Sequence, residues 1–194
     1  MRIESMTGDA LAAALGDLAR LRIAVFREWP YLYDGDLDYE AGYLQRLAEG
    51  EGSVIVGAFD GDALVGAATG APLATQHDAF VQPVAGSGAP IDQTFYFAES
   101  VLLPDYRGRG IGNAFFDARE AHARSLGFDR AVFCSVARPS DHPEKPEDYR
   151  PLTGFWKKRG YRPLAGVVGH FSWKDVGSEK ETEKPMQFWI GHLV

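Results

Sequence analysis

The stretch Pro104-Asp105-Tyr106-Arg107-Gly108-Arg109-Gly110-Ile111-Gly112-Asn113 constrains this chain more than any other. A run with strand character, Ser100-Val101-Leu102-Leu103, leads into it, and an alanine-rich helical pattern from Ala114 to Leu126 leaves it. Strand, glycine loop and helix together present unpaired backbone N–H groups at the positive end of a helix dipole, which is a ready anion site. The glycines at 108, 110 and 112 let the backbone approach a ligand closely and adopt conformations that a side chain would forbid. Arg107 and Arg109 add fixed positive charge. The layout predicts a pyrophosphate site.

Which pyrophosphate ligand follows from what the loop lacks. A nucleotide P-loop places Lys-Ser or Lys-Thr after its last glycine, whereas Gly112 is followed by Asn113-Ala114. A Rossmann fingerprint needs a further glycine where Asn113 stands and an acidic residue at the end of the next strand, whereas Asp129 precedes that strand. Both fit poorly. Thioester cofactors built on coenzyme A carry a pyrophosphate and need no metal-binding hydroxyl in the loop.

Composition narrows the partners. A chain of 194 residues fits a single compact α/β domain over 1–194. Its net charge of −7 argues against a general binder of nucleic acid or anionic membrane. Arg107, Arg109, Arg119 and Arg124 predict a locally basic face, for which cofactor phosphate is a better reason than nucleic acid. The lone Cys134 forms no internal disulfide, and no signal peptide or membrane-spanning run is recognised, so the expectation is a soluble cytoplasmic protein. No pair of histidines has metal-ligand spacing, so no metal is expected.

Periodicity outlines the rest. Strands are expected over 2–6, 53–59, 63–69, 94–103, 131–136, 161–173 and 186–193. Helices are expected after Thr7, over 38–48, after the glycine loop and over 152–158, with one helical turn set near 76–81. Three prolines, Pro139, Pro143 and Pro146, make 138–150 an extended loop, and 174–184 reads as a long polar hairpin loop.

Arg107-x-x-Gly110-x-Gly112, preceded by a strand and Pro104, resembles the acyl-CoA-binding motif of the GNAT superfamily of N-acetyltransferases. Phe155-Trp156-Lys157-Lys158-Arg159-Gly160-Tyr161 resembles the family's later aromatic-x-x-x-Gly-aromatic segment. The segments Phe26-Arg27-Glu28-Trp29-Pro30-Tyr31-Leu32-Tyr33 and Lys184-Pro185-Met186-Gln187-Phe188-Trp189 resemble a narrower, poorly characterised bacterial subgroup. The resemblance implies an α+β, three-layer fold with a mixed, mostly antiparallel sheet of six to seven strands, flanked by helices and splayed in the middle. It also implies that backbone groups of Val101, Leu102 and Leu103 pair with the pantetheine arm. Main-chain N–H groups of Arg107, Gly108, Arg109, Gly110, Ile111 and Gly112, with Asn113, would hold the pyrophosphate of acetyl-CoA. The expected activity is acyl transfer, most simply acetyl, to a primary amine of a small molecule. A non-catalytic acyl-CoA-sensing or partner-binding module is the alternative.

An amine attacks a thioester only when neutral, so a general base is useful. Glu99, in the motif strand, is the first candidate; the competing reading is a strand carboxylate paired with an arginine. Ser100 would face the opposite side. The departing thiolate needs a proton, and the position where many relatives carry tyrosine holds Trp156, whose indole N–H is no useful acid. Tyr161 and Tyr149 are the substitutes, with packing as the competing role. Cys134 is either a nucleophile or a small core residue. On the acceptor side Arg27, Trp29, Tyr31 and Tyr33 are candidate substrate contacts, with Asp34 or Asp36 able to attract an ammonium. The final strand pair offers a route to a homodimer by sheet continuation.

Overall fold

The computed structural model describes residues 1–193. Strand β1 (Arg2–Met6) leads into helix α1 (Gly8–Phe26), which buries Leu11, Leu18, Leu21 and, within the same stripe, Arg22. Helix α2 (Leu37–Glu49) starts at Asp36, whose carboxylate accepts from the amides of Asp38 and Tyr39. Asp36 is therefore a helix cap rather than a free acid for an ammonium. Strands β2 (Val54–Asp60) and β3 (Ala63–Pro72) form a hairpin, followed by helix α3 (Asp78–Gly86) and strand β4 (Thr94–Leu102). Helix α4 (Ile111–Ser125) leaves the glycine loop and strand β5 (Arg130–Val136) returns. A short helix α5 (Thr153–Lys158) and the hairpin β6 (Arg162–Lys174) and β7 (Glu181–His192) finish the chain. The last two strands run further than expected, so the hairpin loop shrinks to 175–180, because Lys174 to Glu181 and Phe171 to Lys184 keep pairing. Similarly the expected turn near 76–81 grows into the full helix α3, which tolerates Pro83 inside it.

The strands form one sheet in the order β1-β2-β3-β4-β5-β7-β6, antiparallel except for β4 against β5. That parallel contact holds only at Thr94↔Arg130, Phe95↔Ala131 and Tyr96↔Val132. Beyond Tyr96 the two strands diverge into a fork. Alternation places Ile55, Ala67 and Val101 under α1 and α2, and Tyr96, Val132, Cys134 and Phe188 on the same face by α3. Phe95, Phe97, Phe133 and Trp189 meet α4 and α5 on the opposite face. The result is three layers with a mixed seven-stranded sheet in the middle.

A bulge in β4 shapes the fork. Ala68 pairs with Ser100 but Gly70 with Phe97, so the extra residue falls at Ala98-Glu99. Buried arginines secure it from both faces. Arg119 of α4 donates to the Thr69 and Glu99 carbonyls at 3.2 and 3.1 Å and to Ser100 Oγ at 3.0 Å. Arg22 of α1 pairs with the Glu99 carboxylate and with Glu40 of α2. Arg119 is thus not part of a basic surface: it is 1% exposed, and burial lowers its pKa to about 10. Arg22 shows the opposite balance. Burial disfavours its charge, but the Glu99 and Glu40 carboxylates outweigh that and its pKa rises.

Removing one partner of a buried ion pair leaves an uncompensated charge, at a cost of about 3–5 kcal/mol. Arg22→Met should therefore destabilise the fold by that order, measured by urea denaturation. A change below about 1 kcal/mol would show that the cluster contributes little.

Candidate active site

The glycine loop stands at the C-terminal end of β4. A single 3-10 turn, Pro104–Tyr106, redirects the chain, and Gly110 then adopts φ 81° to begin α4. An L side chain is strained there, which is why glycine occupies the position. Asn113 and Ala114 are the first amides of α4 to find an acceptor, both on the Gly110 carbonyl at 3.0 and 3.2 Å. The preceding amides from Gly108 to Gly112 make no backbone hydrogen bond among the described residues. A Cβ built on Gly108 or Gly110 meets nothing within 4 Å, so both glycines border open space. Such a cradle fits a pyrophosphate. Arg107 lies beside it, donating to the Leu102 carbonyl and pairing with Glu28 at 2.8 Å, while Arg109 covers the Tyr106 ring. The Asn113 side chain points elsewhere, accepting from Arg159 at 3.2 Å.

The fork opens directly behind this cradle. Past Tyr96, β4 has no partner strand on its β5 side among the described residues. Val101 and Leu102 follow on this stretch, where the Leu103 amide bonds the Val65 carbonyl of β3 at 3.0 Å and the Leu102 carbonyl accepts from Arg107; the rest of the β5-side edge suits pairing with an extended ligand as an added strand.

Glu99 is 6% exposed and fully engaged. Its carboxylate accepts from Thr69 Oγ1 and, at 2.6 Å, from the Tyr43 hydroxyl, beside the Arg22 pair. The paired-carboxylate reading of Glu99 is thus the one the geometry displays. Tyr31 lies within electrostatic reach of Cys134, Glu99, Arg22 and Tyr149, and burial of its hydroxyl raises its pKa. Tyr33 faces a different neighbourhood, that of Glu40, and Arg27 pairs with Asp34 at 3.0 Å on the surface.

The two tyrosines considered for proton donation part company. Tyr161 is buried among Phe97, Phe116 and Phe133 on the α4 face, and its hydroxyl donates to Glu120 at 3.1 Å. Tyr149 sits edge-on to Trp29 with ring centroids 6.0 Å apart, and its hydroxyl has no partner among the described residues. Burial raises its pKa, so it stays protonated. Trp156 packs against Phe133 and Trp189. Cys134 accepts or donates a hydrogen bond with Tyr96 at 3.3 Å, and burial pushes its thiol up to about 12. That makes it a poor nucleophile at neutral pH.

The aromatic loop after α1 owes its position to a polar network whose centre, Arg138, the sequence did not flag. Arg138, just past β5, donates to the Pro30 carbonyl at 2.9 Å and the Tyr31 carbonyl at 2.7 Å while forking onto Asp175. Lys184 completes the chain, 3.2 Å from Asp175 and donating to the Trp173 carbonyl. The Asp34 and Val176 amides add backbone bonds between the loop and the end of β6. Leu32 is held at φ 53°, an unfavourable conformation for a side chain of its kind. Trp29 packs at a tilt against His142, ring centroids 5.0 Å apart, and its indole N–H is buried without a partner among the described residues.

Among the described residues no group of His, Cys, Asp or Glu is arranged to hold a metal ion, and no helix is long and apolar enough to cross a membrane. A forked sheet with an open amide cradle at the head of the central helix defines a coenzyme A-type acyltransferase fold. Residues 18–161 match the acetyltransferase (GNAT) family, and the chain belongs to that family. No curated protein matches the sequence. Solved structures similar to it include an aminoglycoside 6'-N-acetyltransferase complexed with coenzyme A, at 18% identity and TM-score 0.62, covering 100% of this chain and 98% of that one. Another is a ribosomal-protein-alanine N-acetyltransferase from Brucella melitensis, at 15% identity and TM-score 0.62, covering 99% of each chain. A third is YncA of Salmonella typhimurium with its cofactor acetyl-CoA, at 14% identity and TM-score 0.61, covering 100% and 95%. At these identities the likeness is one of fold.

Two outcomes are expected. With a pKa of about 12, roughly one Cys134 in ten thousand is a thiolate at pH 8. Iodoacetamide should then label the native protein at least ~100-fold more slowly than the denatured protein, with the native rate rising as pH increases; equal rates would mean the thiol is accessible and ionised. Arg138→Met should raise amide hydrogen exchange across residues 28–34 at least ~10-fold while leaving the glycine loop unchanged. Unaltered exchange there would show that Arg138 does not hold the aromatic loop.

Proposed function

We propose that the protein transfers an acyl group, acetyl above all, from acetyl-CoA to a primary amine of a small molecule by direct attack. The observation that carries this reading is the alignment of the open amide cradle with the unpaired β4 edge inside the fork. When bound, acetyl-CoA supplies an activated thioester carbonyl; the chain's residues hold, orient and move protons around it. The amides of Gly108 to Gly112 hold the pyrophosphate, with Arg107 and Arg109 beside it, and the edge at Val101, Leu102 and Leu103 pairs with the pantetheine arm. The similar aminoglycoside 6'-N-acetyltransferase supports a small-molecule amine as acceptor. The reading treats 1–194 as one acyltransferase domain acting in the cytoplasm, where a fold without disulfides needs no oxidising environment.

Glu99 serves as base through Tyr43. The Arg22, Glu40 and Glu99 cluster carries one net negative charge, so a proton delivered along the Tyr43 hydroxyl neutralises it. Tyr149, with its unengaged hydroxyl, protonates the departing thiolate. Trp29 and Tyr31 wall the acceptor, with Arg27 and Tyr33 at the margin of the same loop. No step of this transfer requires a metal.

Isothermal titration tests the donor half. Coenzyme A should bind the wild-type protein, and Gly110→Val, which puts a β-branched side chain at φ 81°, should weaken it at least ~10-fold. Thiol release against a panel of amines tests the rest. Glu99→Gln should lower turnover at least ~10-fold at nearly constant cofactor affinity. Binding without turnover on any amine would favour the acyl-CoA-sensing module instead.

A further inference from the structure

Six aromatic side chains connect the Glu99 cluster to the loop after α1. The Arg22 guanidinium lies over the rings of Tyr43 and Phe26, 4.7 and 5.1 Å from their centroids. Phe26 packs on Tyr31 at 4.6 Å between centroids, and Tyr31 stacks on Trp173 at 5.9 Å. Tyr31 lies within electrostatic reach of both Glu99 and Tyr149, and Tyr149 meets Trp29 edge-on at 6.0 Å. All six are partly exposed, whereas Phe95, Phe97 and Phe133 on the opposite face of the sheet are buried. Large aromatic side chains left partly bare beside one another mark a binding surface.

Charge around this wall is one-sided. Arg22 is matched by Glu40 and Glu99, Arg27 by Asp34, Arg107 by Glu28 and Arg138 by Asp175. The buried group of Arg22, Glu40 and Glu99 keeps one net negative charge. The proline-rich loop that carries Tyr149 sets Asp141, Glu144, Glu147 and Asp148 against Lys145 and Arg150. An ammonium entering here meets a negative field and ring faces, and both favour it. A carboxylate meets the same field with the opposite sign, and the arginines nearest the rings are already paired. We propose that this wall binds the acceptor, and that the acceptor is a primary amine with a flat aromatic body and no carboxylate. The proposal deepens the acyltransferase reading and rests on it. The ring faces hold the body by stacked and edge contacts, while the net negative group draws the amine toward Glu99 on β4, the strand assigned to the donor. An amino acid brings a carboxylate into that negative field. A polyamine or an aminoglycoside offers the rings no flat apolar face.

Thiol release from acetyl-CoA reads the choice of amine directly. For phenethylamine and tyramine, kcat/KM should exceed that for phenylalanine, tyrosine, spermidine and kanamycin at least ~10-fold, and a smaller margin over any of them overturns the proposal. Phenylalaninamide, which keeps the ring and lacks the carboxylate, should gain at least ~5-fold over phenylalanine; a smaller gain also overturns it. Trp29→Ala should raise KM for phenethylamine at least ~10-fold while coenzyme A affinity, read by calorimetry, stays within about twofold of wild type. Trp29→Phe, which keeps a ring, should bring KM back to within about threefold. An unchanged KM in folded Trp29→Ala overturns the proposal, and should that variant fail to fold, the wild-type amine series decides. Turnover on amines other than those with a bare aromatic body leaves the acyltransferase reading standing and removes this one. Turnover on no amine removes the acyltransferase reading, and the proposal falls with it.

Discussion

Two buried arginines grip the β4 bulge from opposite sides of the sheet, and the architecture of the site depends on that grip. Arg119 reaches down from α4 to the carbonyls on either side of the bulge, and Arg22 reaches up from α1 to the Glu99 carboxylate. A bulge leaves ladder groups without strand partners, which is costly in an interior unless something else satisfies them. Here guanidinium groups do so, since each offers several donors in a fixed plane. The Glu40 and Glu99 carboxylates meet the charge of Arg22, while Arg119 spends its donors on carbonyl and hydroxyl oxygens. β4 can therefore turn away from β5 after three paired positions while the Thr69 and Glu99 carbonyls at the bulge keep donors.

From that fork the two halves of the site acquire distinct origins. The amide cradle is local: a strand end, one 3-10 turn, Gly110 in a left-handed conformation and the first turn of α4. The aromatic half is assembled from distant pieces. Its loop is pinned by Arg138, which Asp175 orients and Lys184 supports, so the β6–β7 hairpin decides where Trp29 and Tyr31 stand. This explains why the aromatic segment after α1 and the Lys184-to-Trp189 segment occur together in one chain: they are the two ends of a single polar network.

The legibility of the chain follows the same division. Strand and helix positions were readable because their burial alternates with the right periods, as in Phe95, Phe97, Phe133 and Trp189 against Tyr96, Val132, Cys134 and Phe188. Errors fell where tertiary contact extends or redirects an element, as with α3 and the long β6–β7 pairing. A signal for Arg22 was present, since a charged residue interrupts the apolar stripe of α1 and must find a partner if buried. Arg119 carried a misleading signal: on a helix rich in polar residues it reads as surface, and only the bulge beneath it shows why it is inside. Nothing local marks Arg138.

By itself the sequence determined the fold class and the layout of the amide loop, because both are written in contiguous patterns: side-chain period, glycine placement, and a strand feeding a helix through a glycine loop. Tertiary structure alone decided the roles open to the acid–base groups. Glu99 meets Tyr43 across 56 residues and Arg138 meets the Tyr31 carbonyl across 107. Tyr161 and Tyr149 look alike in sequence, yet one hydroxyl is bound to Glu120 and the other is unengaged. A side chain's basicity and reach are properties of its neighbours in space, and those neighbours come from parts of the chain that no local pattern connects.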